Sequence, residues 1–243
     1  MRTNEEEFSM SKENRRQRVT RILGRLLFLS LVLSIIYAVI RLCFAPPESQ
    51  ARLHQMSRSD YALILLQCLL GLAVMGLPTI LTRKWSLPVP SFVYILYYIF
   101  LYCAIFLGEV MSFYYLIPHW DTVLHAFSGA MLGALGFILV DWLNDSPAVR
   151  VQLSPLFVSL FAFCFALAAG AVWEIYEFSG DGLFGLNMQK YMTDKGVMLI
   201  GHEALTDTMK DIIVDAISAA AISIIGFFSI CKKNKPAPAD KAA

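Results

Sequence analysis

The stretch that decides the fold is residues 119–136, HWDTVLHAFSGAMLGALG. A polar cluster opens it, and an apolar segment long enough to enter a bilayer follows. Asp121 and His125 are four apart, so on a helix they share one face. Counting on by fours from His125 reaches Gly129 and Gly133, with Gly136 close to the same line. Gly129 and Gly133 make a G-x-x-x-G pair, the spacing at which two membrane helices approach backbone to backbone. The face carrying the acid and the imidazole is therefore the face expected against another helix. Energy favours the same orientation, because Asp or His turned to lipid is costly.

The rest of the chain fits a membrane setting. Hydrophobic residues make up 57% of the 243, against roughly 45–50% in soluble proteins, and the mean hydropathy is +0.59. Apolar runs over 22–44, 61–82, 91–116, 121–143, 155–178 and 208–230 are each long enough to span the hydrocarbon. The connections leave no room for a separate soluble domain. The expectation is an all-α, polytopic membrane protein with six transmembrane helices. It has a disordered cytoplasmic tail over 1–20, one six-helix membrane domain over 21–231 and a second cytoplasmic tail over 232–243. Net charge is +1, and the basic residues sit at membrane borders rather than in one patch, which excludes a nucleic-acid partner. Membrane lipids are the expected surroundings.

The first apolar run is expected to remain as an anchor. Its core exceeds the roughly 7–15 residues of a cleavable signal, and RLCF at 41–44 offers no small-x-small cleavage site. The five cysteines (Cys43, Cys68, Cys103, Cys164 and Cys231) are scattered through apolar runs or their ends. With no C-x-x-C among them, they read as packing residues, not as disulfides or thiolate metal ligands. Arg15, Arg16, Arg18, Arg21, Arg83, Lys84, Arg150, Lys232 and Lys233 fall on one set of borders. The opposite connections hold only Arg52, Arg58, Lys190 and Lys195. This asymmetry places both termini in the cytoplasm.

Acids gather at the outer ends of the helices in that orientation. Gly170, Glu174, Glu177 and Asp181 fall at intervals of four, three and four, one continuous helix face. Asp207, Asp211 and Asp215 share a face of the last helix, the third lying roughly 12 Å along the axis from the first. Glu109 adds one acid to the outer third of the third span. Simpler readings stand beside a site. Asp121 and Asp207 each open a run and suit an N-cap, His125 suits a hydrogen-bonded core, and Glu109 suits the interface. Glu174 and Glu177 resist such a reading. They repel each other at a helix C-terminus, where the macrodipole disfavours negative charge, so a cation, a proton or strong donors must offset them. Asp211 and Asp215 lie too deep to be caps.

The outer connection over 179–206 is the longest, and Gly180, Gly182, Gly185, Gly196 and Gly201 punctuate it. It reads either as a lid over a polar site or as a plain connection. His202-Glu203 is not a zincin motif, since no His follows three residues after the Glu. G-x-S-x-G and P-loop motifs are absent too.

Three motifs carry a resemblance. W-D-x-x-x-H-x-x-S-G (Trp120, Asp121, His125, Ser128, Gly129), W-E-x-x-E (Trp173, Glu174, Glu177) and D-T-x-x-D (Asp207, Thr208, Asp211) together resemble the YjdF-type family of bacterial inner-membrane proteins, over roughly residues 60–230. The resemblance implies a polytopic protein of the bacterial cytoplasmic membrane and no particular chemistry. A fainter similarity is to VanZ-like proteins, which combine an early D-x-x-x-H with later Glu and Asp. The Asp-Lys pair of that group is absent here, Asp121 being followed by Thr122.

Function is then expected from the acids and the imidazole. Asp121, His125, Glu174, Glu177, Asp211 and Asp215 are the candidate metal ligands. Carboxylates with one imidazole suit Mg²⁺ or Mn²⁺ better than a thiolate-type Zn²⁺ site. A metal-dependent enzyme acting on a lipid or lipid-linked substrate would polarise an oxygen and activate water, with His125, or a spare carboxylate such as Asp121 or Glu177, as base. A proton- or cation-coupled transporter, or a non-catalytic accessory protein, would use the same residues differently.

Overall fold

The computed structural model describes residues 2–46, 56–87, 89–144, 153–193 and 196–233, with side chains from residue 10 onward. Arg52, Arg150, Asp194, Lys195 and the expected tail beyond Lys233 lie outside the described residues. Helix α1 runs over Arg2–Phe44. The polar segment expected as a disordered tail is therefore helical and continuous with the first span. Helix α2, Arg58–Met75, starts at a capping box in which Ser57 and Asp60 satisfy each other's backbone N–H groups. It stops at Gly76 and resumes as α3, Leu77–Trp85, with Pro78 in its first turn. Proline lacks an N–H and crowds the carbonyl four residues back, which explains the break.

Helix α4, Ser91–Leu101, passes without interruption into a π-helix over Tyr102–Val110. The third span thus ends at Val110, not at 116. Ser112 takes a left-handed conformation (φ 59°) and turns the chain into the short α5, Phe113–Leu116. The Tyr114 ring lies against Gly108, where a Cβ would collide with it. Helix α6 covers Trp120–Asn144, α7 covers Pro155–Phe184 and α8 covers His202–Lys233. Proline opens α7, where its missing N–H costs nothing. Lys232 and Lys233 close α8, where cations favour the helix dipole.

Among the described residues six helices are long and apolar enough to cross a membrane, and no named strand occurs. Leu33, Phe157, Ile217 and Phe228 are 51–66% exposed. Faces this apolar suit lipid rather than water.

The chain divides into two compact units, Met1–Leu124 with Trp173–Lys210, and His125–Val172 with Asp211–Ala243. Each of α6, α7 and α8 contributes residues to both units. The first has its core where Leu27, Leu31 and Ala38 of α1 meet Tyr61, Ile64 and Cys68 of α2, with Leu101 and Ile105 closing it. The second is built on small residues. A Cβ on Gly136 would lie 2.8 Å from the Ala162 Cα, and one on Gly129 would lie 3.0 Å from the Asp215 carbonyl oxygen. At Gly133 the same atom finds ordinary contact with Ile222, at 3.4 Å. The G-x-x-x-G face does meet another helix, α8, and Gly129 is its tight point.

Candidate functional site

In the second unit, α6 delivers His125 and α8 delivers Asp211 and Asp215. One helical turn separates the two acids, so both carboxylates face the same way. His125 Nδ1 lies 3.3 Å from Asp215 Oδ2, and His125 Nε2 lies 3.9 Å from Asp211 Oδ2. The three residues are 7%, 2% and 2% exposed. Such burial leaves the groups little water and makes their mutual interactions decide their state. Gly170 of α7 explains how Asp215 fits: a Cβ there would meet the Asp215 carboxylate, with Cγ only 3.1 Å away. Asp215 Oδ1 is buried and accepts no hydrogen bond from the described residues. Ser218, one turn further on, bonds only backward, to the carbonyls of Val214 and Asp215.

In the first unit, Asp121 follows Trp120 at the start of α6, and its carboxylate accepts from Lys190 Nζ. The same ammonium donates to Asp207 at 3.1 and 3.2 Å. Asp121 and Asp207 had suited N-caps. Instead α8 begins five residues before Asp207, and both acids hold a lysine. Burial pushes the Lys190 ammonium down, but the charges and hydrogen bonds of Asp121 and then Asp207 outweigh it, so its pKa stands above the ordinary lysine value. Glu177 accepts from the Trp173 indole N–H at 2.9 Å, one turn back on α7. Glu174 is 4% exposed, and its backbone carbonyl accepts from Gln189 Nε2 at 3.4 Å. Asp181 serves the connection: its carboxylate accepts from the N–H groups of Met188 and Gln189 at 2.7 and 3.0 Å.

That connection is a built strap. Asn187 exchanges two hydrogen bonds of 2.9 Å with the Met192 backbone, and Met192 forms an antiparallel bridge to Met198. Gln189 Nε2 donates to Thr208 at 2.9 Å. Lys190 has a left-handed backbone (φ 50°). A cavity of about 60 Å³ lies beside it in this unit, with Gln67, Glu109, Tyr114, Asp121, Trp173 and Glu177 in its wall.

Sequence reasoning singled out His125, Asp211 and Asp215, and the second unit brings them together. It placed Asp121, Glu174 and Glu177 in the same set, and these belong to the first unit. It missed Lys190, which had counted only toward topology. The available signal for Lys190 was a cation, with Lys195 five residues on, in a connection whose flanking helices carry Asp181 and Glu203 near their ends.

A family model described as predicted membrane protein (DUF2238) matches residues 23–232. The chain belongs to that family. The match covers all three motifs that carried the YjdF-type resemblance, and it extends through all six apolar helices. The similarity to VanZ-like proteins stays an expectation. No curated protein and no solved structure matches the chain.

Proposed function

We propose that this is a bacterial inner-membrane protein, with both termini cytoplasmic, that binds a divalent cation on His125 and Asp211 and acts hydrolytically on a lipid or lipid-linked substrate. One observation carries the reading: a buried imidazole with a carboxylate at each ring nitrogen. Asp215 accepts from Nδ1–H and so fixes the tautomer that leaves the Nε2 lone pair facing Asp211. Donors each about 2.0–2.2 Å from one ion are at most about 4.4 Å apart, so the 3.9 Å between Nε2 and Asp211 Oδ2 is compatible with a shared ion. Carboxylates with one imidazole suit Mg²⁺ or Mn²⁺ better than a thiolate-type Zn²⁺ site.

A divalent cation, when bound, supplies Lewis acidity and a water of lowered pKa. The chain's own contributions are distinct. Asp215 holds the imidazole in place, Asp211 adds a negative donor, and the glycines at 129 and 170 give both helices the room to close around them. The surrounding apolar helices keep bulk water away, which strengthens every electrostatic interaction inside.

The test is product formation. Full-length protein in proteoliposomes made from bacterial lipid extract is incubated with Mg²⁺, Mn²⁺ or Zn²⁺, and lipid products are followed by mass spectrometry. A metal-dependent product that Asp211→Asn abolishes supports the enzyme. Ion-driven uptake into the same vesicles without any product supports the transporter reading instead, which the same carboxylate–imidazole–carboxylate chain favours.

A further inference from the structure

We infer that the first unit binds an anionic phospholipid on α1, with the phosphate on Arg18, Arg21 and Arg25 and an acyl chain in the groove that continues from them. The groove has a volume of about 580 Å³, within the range of small-molecule sites. Arg21, Gly24, Arg25, Phe28 and Leu29 of α1 line it, together with Met75 of α2 and Tyr98 of α4. Helical spacing sets its polarity. Arg21, Arg25 and Leu29 advance by fours and share one face of α1. Guanidinium groups therefore stand at one end and apolar side chains at the other, about 12 Å along the axis. Gly24 lets the helices close in the middle: a Cβ there would lie 3.1 Å from the Tyr98 ring.

Charge selects the occupant. A second hollow of about 360 Å³ shares Arg21 and Arg25 with the groove and adds Arg18. These three arginines, at i, i+3 and i+7, repel one another on one helix face. Among the described residues no acid lies within ion-pair distance of any of them. Arg21 Nε donates to the Gln17 carbonyl of its own helix, at 3.4 Å, which leaves the charge unopposed. A phosphate accepts paired N–H groups from a guanidinium and offsets the repulsion. The apolar end excludes a water-soluble anion as the whole answer. Phe28 and Leu29 are half-exposed and stand early in the apolar run over 22–44, at the depth where head groups give way to chains. A phospholipid with net negative charge covers both ends at once. A zwitterionic one would set its own cation beside three guanidinium groups.

This site uses neither His125 nor a metal. The experiment titrates the full-length protein in one detergent with phosphatidylglycerol or with phosphatidylcholine and reads the melting temperature. Phosphatidylglycerol should stabilise wild type and phosphatidylcholine should do so far less. Replacing Arg21→Gln and Arg25→Gln together should raise the phosphatidylglycerol needed by about tenfold or more, since each arginine near an anionic surface contributes several-fold in affinity. Arg83→Gln with Lys84→Gln removes the same charge from α3, whose residues line neither hollow, and should respond as wild type does. Glycerol 3-phosphate, which offers the phosphate without chains, should have no effect. The proposal is overturned if phosphatidylglycerol stabilises wild type no better than phosphatidylcholine, if the two double variants respond alike, or if glycerol 3-phosphate stabilises as well as the lipid.

Discussion

His125 is held from one side by Asp215, whose Oδ2 lies 3.3 Å from Nδ1, with both side chains more than nine-tenths buried. The pair joins α6 to α8 at the level where Gly129 brings their backbones closest. Close packing and the polar contact are two parts of one arrangement. Only a glycine at 129 lets the helices come near enough, and only a short acid at 215 then fits beneath the ring.

Asp215 acts on a cation through His125, so its removal should weaken binding without abolishing it. Asp215→Asn is expected to lower cation affinity about 10–100-fold, the usual cost of losing such an orienting partner. Asp211→Asn, which removes a donor, should cost more. Isothermal titration of both variants in detergent checks the order, and equal losses would remove the distinction between ligand and orienting residue.

The glycines separate by tightness. Alanine in a helix gains about 1 kcal/mol over glycine in propensity, so Gly133→Ala, whose new Cβ meets Ile222 at 3.4 Å, should be neutral or slightly stabilising. Gly129→Ala drives its Cβ to within 3.0 Å of the Asp215 carbonyl oxygen and should cost about 1–3 kcal/mol by overpacking. Thermal unfolding in one detergent ranks them, and a Gly133→Ala that is the worse of the two would misplace the helix contact.

Lys190 ties the strap to Asp121 and Asp207, and its side chain is 34% exposed. Lys190→Met should therefore destabilise by only about 1 kcal/mol once solvent screening is allowed for. The folded pKa lies above the unfolded value of about 10.4, so the lysine's contribution is complete below that value and is lost as pH rises through the folded one. Between pH 7 and 9 the deficit of the variant should be constant. Melting curves across that range decide it, and a deficit that shrinks toward pH 9 would contradict the pairing.

Orientation has its own test. Val197 is 60% exposed on the strap, and if both termini are cytoplasmic, Val197→Cys should react with a membrane-impermeant maleimide on intact cells. A cysteine appended after the last residue should react only after lysis. Labelling of the C-terminal cysteine on intact cells would reverse the proposed topology.

Hydropathy made the six spans legible, because a bilayer demands long apolar runs and nothing local competes with that signal. The break in the second span at Gly76 was not separated from the apolar run over 61–82, and Pro78 supplies its cause. The end of the third span was not legible. Residues 91–116 are apolar throughout, and the turn depends on Tyr114 packing on Gly108, a contact between residues that hydropathy treats as equals. Periodicity paired Asp211 with Asp215 and turned His125 inward, since helical spacing alone fixes those faces. It could not say which acids would meet a cation from the chain itself. Lys190 reaches Asp121 and Asp207 only because Asp181, Asn187 and Gln189 fold the strap, and none of those contacts has a period.

The central claim is that His125 and Asp211 share a divalent cation, and the most direct measurement is the melting temperature of the full-length protein against Mg²⁺, Mn²⁺ and Zn²⁺. At a hundredfold excess over Kd a bound ion stabilises by about 2.7 kcal/mol, which for a chain of this size is a rise of roughly 5–10 °C. Wild type and the control Glu203→Gln should show that rise with at least one ion, whereas His125→Gln and Asp211→Asn should not. A wild type indifferent to all three ions, or an Asp211→Asn that responds as wild type does, would contradict the claim.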